Sequence, residues 1–474
     1  MHDVLPATQP PPLSLRRHVA DTVRLAAPLA VAQVTQIAMG ITDMVLLGSL
    51  GSAALAVGGL GTGLFFTTVL VLQGVLSAVA VLVSQARGAG RAERAPAIFR
   101  TGLLLTVLLA VPAFALLSAA EPILLALGEP ADLAHEVGRY EDVLRWGVPG
   151  ALLGLGLMRA FLPAIDRPRV ILWVTLSAFG VNGLLNYGLI HGVWGLPRLG
   201  VLGSATATAA TLWGTGLSLL GIVLLTPSLR HWAVPQPTPT GLRQKHIPRR
   251  AALFAELLRI GLPVGVTYGV EVTLFQSVGL LAGLIGTASL AAHQIALNVA
   301  SFAFMVPLAL AQAANVRVGF WTGAARPTEA RRAGLVAIGL GAGFMALTGI
   351  VLLAAPRLIV SLYLAPGDPG NAETVRIAVS LLFVAAVFQI ADGVQAVAAG
   401  GLRGLRDTRT PMLLAAFGYW GIGFTSGYAL AFRLDAGAAG LWWGLAIGLA
   451  VVAVLLTLRF ERRTRAVPAG KMPA

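Results

Sequence analysis

About twelve apolar runs, each long enough to cross a bilayer, follow one another between short charged connections, and this alternation leaves the chain few folds to adopt. Spanning about 30 Å of hydrocarbon takes about 20 residues of helix. With no water to bond backbone N–H and C=O groups there, segments of that length must be helical. Composition agrees: of 474 residues, 57% are hydrophobic and 11% charged. A mean hydropathy of +0.81 lies far from that of a soluble domain. The expected class is an all-α integral membrane protein with twelve transmembrane helices. The chain has no cysteine, which removes disulfides, thiolate metal sites and cysteine nucleophiles. The polar, proline-rich start lacks a charged-apolar-small pattern, so no cleaved signal peptide is expected.

The formal charge of +14 does not point to nucleic acid, because the basic residues fall in clusters at alternate connections. Six of the 34 lie on one side, Arg139, Arg145, Arg198, Arg357, Arg376 and Arg433, which leaves 28 on the other, counting Arg159 and Arg259 as helix-end charges. The positive-inside rule then puts both termini and the central connection in the cytoplasm, with the chain in the inner membrane.

The chain divides on this reading into a tail over 1–17, an N-lobe over 18–226, a cytoplasmic linker over 227–253, a C-lobe over 254–458 and a basic tail over 459–474. The first helix is expected over 18–48, interrupted at Pro28 and Gly40, and the fourth is expected to end near Arg159. Sliding residues 24–56 by 235 positions places Arg24 on Arg259, Pro28 on Pro263, Gly48 on Gly283 and Gly51 on Gly286. The same shift carries Gly88-Ala89 onto Gly323-Ala324. Six helices per repeat is an even number, so the two six-helix bundles form a parallel repeat about an axis along the membrane normal. Gly150/Gly154, Gly400/Gly404 and Gly444/Gly448 have the small-xxx-small spacing of close helix contacts.

Within residues 259–300 a single carboxylate, Glu271, interrupts an otherwise apolar helix. An ionisable group at that depth costs about 2.5–3.5 kcal/mol on insertion scales and marks a site. Asp392 is a second. Glu271 lies 12 residues beyond Arg259 and Asp392 lies 11 before Arg403, so both stand about 16–18 Å from the inner charge level and can face each other. Paired carboxylates in a low-dielectric cavity either bind a cation between them or share one proton. Asp43, 19 residues from Arg24, belongs to another level. Gln389 and Gln395 flank Asp392 at i−3 and i+3 and extend the site or bond neighbouring helices. His293 stands near the outer end of the eighth helix without a partner in the sequence. Gly59-Leu-Gly61-Thr-Gly63 lacks the strand and acid of a nucleotide turn, and no phosphate-binding lysine motif occurs, so direct ATP use is excluded.

Several of these segments are familiar as a set. Glu-Val-Thr-Leu-Phe at 271–275, Ala-Ala-His-Gln-Ile-Ala-Leu-Asn at 291–298, Phe-Gln-Ile-Ala-Asp-Gly-Val-Gln at 388–395 and Leu-Arg-Gly-Leu-Arg-Asp-Thr at 402–408 resemble the NorM-like branch of multidrug and toxic compound extrusion (MATE) transporters. Thr42-Asp43, Arg145-Trp146-Gly147-Val148-Pro149 and Asn182-x-x-x-Asn186-Tyr187 extend the resemblance over the first half. It implies a non-enzymatic antiporter that exports amphipathic or cationic drugs in exchange for Na+ or H+ by rocking between two V-shaped states. By resemblance, Glu271 and Asp392 form the C-lobe cation site, the place for a sodium ion, while Asp43, Asn182, Asn186 and Thr208 form an N-lobe polar network. Tyr268 and Phe275, at i−3 and i+4 from Glu271, suit a wall for flat cationic drugs, although core packing is the better explanation for Phe275. Phe388 departs from the family, which has a tyrosine four residues before the helix-10 aspartate; sodium thereby loses a hydroxyl ligand. Paired acids favour sodium, and the phenyl ring favours a proton. No cofactor is expected, and the partners are small-molecule drugs and membrane lipid, with the protein a monomer. A lipid-linked oligosaccharide flippase of the same superfamily would need arginines in its cavity, and an intramembrane enzyme would need an Asp-x-x-Asp pair or a His-Glu-x-x-His helix that the chain lacks.

Overall fold

A computed structural model describes residues 13–235, 249–365 and 368–465. Among the described residues there is no strand, and eleven helices are long and apolar enough to cross a membrane. In chain order these are α1 (Leu15–Gly48), α2 (Ser52–Gly88), α3 (Ala92–Ser118), α4 (Ala131–Ala164), α5 (Pro168–His191), α6 (Val201–Leu225), α7 (Arg250–Ile285), α8 (Thr287–Gly323), α9 (Pro327–Ala354), α10 (Pro369–Gly404) and, last, α12 (Gly437–Arg465). Between the final two lies α11, a succession of Arg409–Ala416, a π-helical turn Phe417–Phe424, Thr425–Tyr428 and a second π turn Ala429–Arg433.

Several limits differ from those expected. Helix α1 begins at Leu15, where the Ser14 side chain accepts from the Arg17 N–H, and it runs unbroken through Pro28 and Gly40. In an apolar setting a broken helix would expose backbone groups with nothing to bond, so losing one bond at Pro28 is the smaller cost. Helix α2 breaks at Ser77, whose hydroxyl bonds the Gly74 carbonyl. Helix α4 does not end at Arg159 but continues to Ala164 after a π-helical stretch Leu152–Met158. Part of the expected linker is helical, since Pro227–Ala233 forms a turn of helix with proline at its start, and α7 begins at Arg250. The remainder, residues 236–248, lies outside the described residues, as does Lys471. Arg459, Arg462, Arg463 and Arg465 stand on the last turns of α12, where cations complement the helix dipole, rather than in a tail beyond it.

Packing follows small residues. A Cβ added at Gly150 of α4 would come 2.6 Å from the Trp213 nitrogen of α6, one at Gly404 of α10 would come 2.8 Å from the Asn315 carbonyl of α8, and one at Gly448 of α12 would come 2.7 Å from the Gly418 carbonyl of α11. Each spacing noted in the sequence is thus a helix-helix contact, made by dispersion where hydrophobic driving force is absent.

Helices α8, α9, α11 and α12 surround α10 or one another, and α5 packs between α1 and α6. The halves meet where α2 crosses α7 and α8, and where α1 crosses α8. At the end where α1 begins and α12 finishes, Gly88 abuts Phe320 and Gly323 abuts Gln85. Ionic contacts tie the same end together. His18 Nε2 stands 2.9 Å from Glu329, Arg317 lies 3.0 Å from His18 Nδ1 and 3.4 Å from Asp21, and Gln85 Nε2 donates to the Gly404 carbonyl at 2.8 Å. Arg406, after α10, donates to Gln85 and pairs with Glu256 at 2.6 Å. Burial pulls its guanidinium down from the ordinary value and Glu256 pushes back, so pairing maintains the charge.

Candidate functional site

The two acids singled out in the sequence do meet. Glu271 of α7 and Asp392 of α10 line one cavity of about 340 Å³ together with Tyr268, Phe275, Phe388 and Gln395. Gln395, one turn after Asp392, donates its amide N–H2 to Asp392 Oδ1 at 3.2 Å and to Glu271 Oε1 at 3.5 Å. Its carbonyl oxygen accepts from the Tyr419 hydroxyl of α11 at 2.9 Å. One amide nitrogen therefore occupies the place between two carboxylates that a shared cation would take. Oxygens from both carboxylates converge there, the donor set of a hard monovalent cation or of a shared proton.

Aromatic rings close the floor. Phe388 is buried, edge-on to Phe275 at 6.1 Å and to Trp442 at 5.5 Å. Phe275 thus both lines the cavity and packs. Tyr268 presents its hydroxyl to Arg403 at 2.8 Å, with the guanidinium 5.8 Å from the ring centre. Gln389 takes the second of the two roles its spacing allowed: its Nε2 donates to the Met345 carbonyl of α9 at 3.1 Å, and the side chain does not line the cavity. Three residues before Asp392 on a helix is 60° off its direction, enough to turn a side chain to a neighbour. His293 is buried and accepts from Trp442 Nε1 at 3.2 Å.

The N-terminal half holds a separate network. Asp43 is 5% exposed, so it is not a solvated interfacial acid. Asn186 Nδ2 donates to its Oδ1 at 2.9 Å and Thr208 Oγ1 to its Oδ2 at 3.2 Å. Asn182 stands one step away, donating to Thr211 at 3.4 Å and offering its backbone carbonyl to Asn186 at 3.2 Å. The side-chain oxygens of Asn182 and Asn186 are buried without a partner, two acceptors free for a cation or water.

Sequence reasoning missed Tyr419 and misplaced Arg159. Tyr419 carried no signal because it is 24 residues from its partner Gln395. Arg159, counted as a helix-end charge, is 8% exposed and donates Nη1 to Gln33 Oε1 and Nη2 to Gln36 Oε1, both at 2.8 Å. Seven residues separate it from Asp166 in the turn after α4, which sets it about 10 Å inside the membrane end.

Comparison with known proteins decides the family. The MatE family description matches twice, over residues 28–188 and 263–429, which together exceed half the chain. The chain belongs to the MatE family. The two MatE matches begin at Pro28 and Pro263, the same shift that relates the halves of the sequence. A probable multidrug resistance protein NorM of Burkholderia mallei is 59% identical over 461 residues, 97% of this chain and 96% of that protein. The multidrug resistance protein NorM of Burkholderia vietnamiensis is 58% identical over 463 residues, 98% of each chain. Among solved structures, the eukaryotic MATE transporter AtDTX14 matches with a TM-score of 0.83 at 22% identity, covering 95% of this chain and 98% of that one. An outward-facing multidrug resistance MATE transporter of the MOP superfamily also reaches 0.83, at 18% identity and over 95% and 96% of the two chains. These last two likenesses concern the fold. As a MatE protein the chain is a multi-pass membrane transporter and not an enzyme.

Proposed function

We propose that the protein is a secondary antiporter that exports amphipathic or cationic drugs and toxic compounds in exchange for sodium, by rocker-switch alternating access. The observation that carries this reading is the Glu271 and Asp392 pair joined by Gln395 in a cavity wide enough for a small organic molecule. The relatives named multidrug resistance proteins give the substrate class. A cation that binds the pair and a drug that needs the same negative charge compete, and competition between two occupants of one site is what an exchanger requires.

The rocking reading rests on the repeat. Residues 88 and 323, and likewise 85 and 320, differ by 235, so the contacts of Gly88 with Phe320 and of Gly323 with Gln85 are a symmetric pair. Such reciprocity is expected of two six-helix bundles about an axis along the membrane normal, with α11 as the twelfth crossing. An even number of crossings keeps both termini on one side, and the arginine clusters make that side the cytoplasm of the inner membrane. The protein acts as a monomer in lipid.

A specific observation favours a second coupling ion. Phe388 lines the cavity with a ring that offers no oxygen, which leaves a sodium ion one ligand short, whereas a proton needs no further donor. Everted vesicles decide: with pH clamped, an imposed sodium gradient drives drug flux if sodium couples. Phe388→Tyr is then expected to increase the sodium dependence by adding a ligand. Flux that ignores sodium and collapses with the proton gradient makes the protein a proton exchanger.

A further inference from the structure

Arg159 presents an unusual balance of charge. A buried guanidinium normally finds a carboxylate, and an uncompensated one is strongly destabilising. Among the described residues no acid lies within ion-pair distance of Arg159; its partners are the neutral amides of Gln33 and Gln36 of α1. A guanidinium has five N–H donors, and those two bonds leave three. They belong to a side chain on the wall of a second cavity of about 340 Å³. Arg403 lines the same cavity, where it donates to the Tyr268 hydroxyl and the Ala399 carbonyl, and it also borders the space that holds Glu271 and Asp392. No aspartate or glutamate lines this cavity.

Tyr268 and Arg403 line the acidic cavity as well, so the two spaces adjoin across them. One cleft between the halves therefore has a wall with two carboxylates, from α7 and α10, and an opposite wall with an unpaired arginine braced by α1. Planar, bidentate donors of this kind match a carboxylate in geometry as well as charge. Gln33 and Gln36 hold the fork in place, which lowers the ordering cost when an anion arrives.

We propose that Arg159, positioned by Gln33 and Gln36, is a subsite for the carboxylate of a transported compound. This rests on the export reading for the identity of the occupant, but the test does not require transport.

The full chain in phosphatidylcholine nanodiscs is titrated with two fluorescent probes, a rhodamine bearing a free carboxyl and its methyl ester, with no ion gradient. The ratio of acid affinity to ester affinity is expected to fall about tenfold from wild type to Arg159→Gln, in line with loss of a charged bidentate contact. If Arg159→Gln fails to accumulate in the membrane, Arg159→Lys, which keeps the charge but loses the fork, is read in the same way with a fall of about threefold. An unchanged ratio in the variant that accumulates overturns the subsite and leaves the export reading standing. Phosphatidylglycerol added to the nanodisc separates the alternative source of the anion. Displacement of the acid probe from wild type by that lipid, absent in the variant, makes this a lipid headgroup site and overturns the substrate assignment; insensitivity to the lipid supports it.

Discussion

Three acids inside apolar helices carry the residue-scale argument, because each must be kept against its insertion cost. Glu271→Gln and Asp392→Asn preserve shape and remove charge, so either is expected to lower drug resistance of a pump-deficient bacterial host by tenfold or more at equal membrane level. Full resistance in both, with protein confirmed by immunoblot, would sink the site. Asp43 accepts from Asn186 and Thr208 without contributing to the acidic cavity, so Asp43→Asn is expected to slow export while leaving drug affinity within about twofold. Binding and flux measured on the same preparation check this, and unchanged flux would remove the Asp43 network from the transport cycle. The residues that could be read were those whose cost is intrinsic. Arg159 was misplaced because an arginine seven residues before a turn reads the same whether it points to water or inward. Gln389 and Gln395, six residues apart, looked equivalent about Asp392, and only the neighbours decided that one bonds α9 and the other bridges the acids.

At the scale of the element, the π-helical turns are the least foreseeable feature. They interrupt α4 just before Arg159 and run through α11 on either side of Thr425–Tyr428. Such turns rotate side chains relative to a regular helix and recur at functional sites. One of them carries Tyr419 to Gln395. Glycine spacing, by contrast, could be read from the chain, since Gly444 and Gly448 face Gly418, Gly423 and Gly427. Gly444→Leu puts four extra carbons against the Gly427 backbone, and overpacking of this kind costs about 1–3 kcal/mol or more. A lower thermal midpoint of the detergent-solubilised protein is expected, with Gly63→Leu, where an added Cβ meets nothing, as the control. Equal midpoints would remove close α11–α12 contact as a source of stability.

Across the whole molecule, the absence of cysteine turns a compositional fact into a tool. Single cysteines at Ser14 and at Glu129 report the two faces without background. Ser14→Cys is expected to be labelled only when a membrane-impermeant maleimide reaches the cytoplasm, and Glu129→Cys from outside intact cells. Labelling of both from the same side would overturn the three crossings that α1, α2 and α3 make between them. Membrane insertion, helix class, the repeat shift of 235 and the candidate acid pair were all determined by the chain alone. Hydrocarbon tolerates one backbone conformation and taxes every charge, so both leave marks along the sequence. What the tertiary structure alone decided is which polar groups share a cavity. Tyr419 reaches Gln395, Arg159 turns inward between Gln33 and Gln36, and Arg406 bonds Gln85 from the other half. Those pairings depend on how helices rotate and cross, and crossing is set by dispersion between small residues, a force with too little per-residue cost to show in the order of the chain.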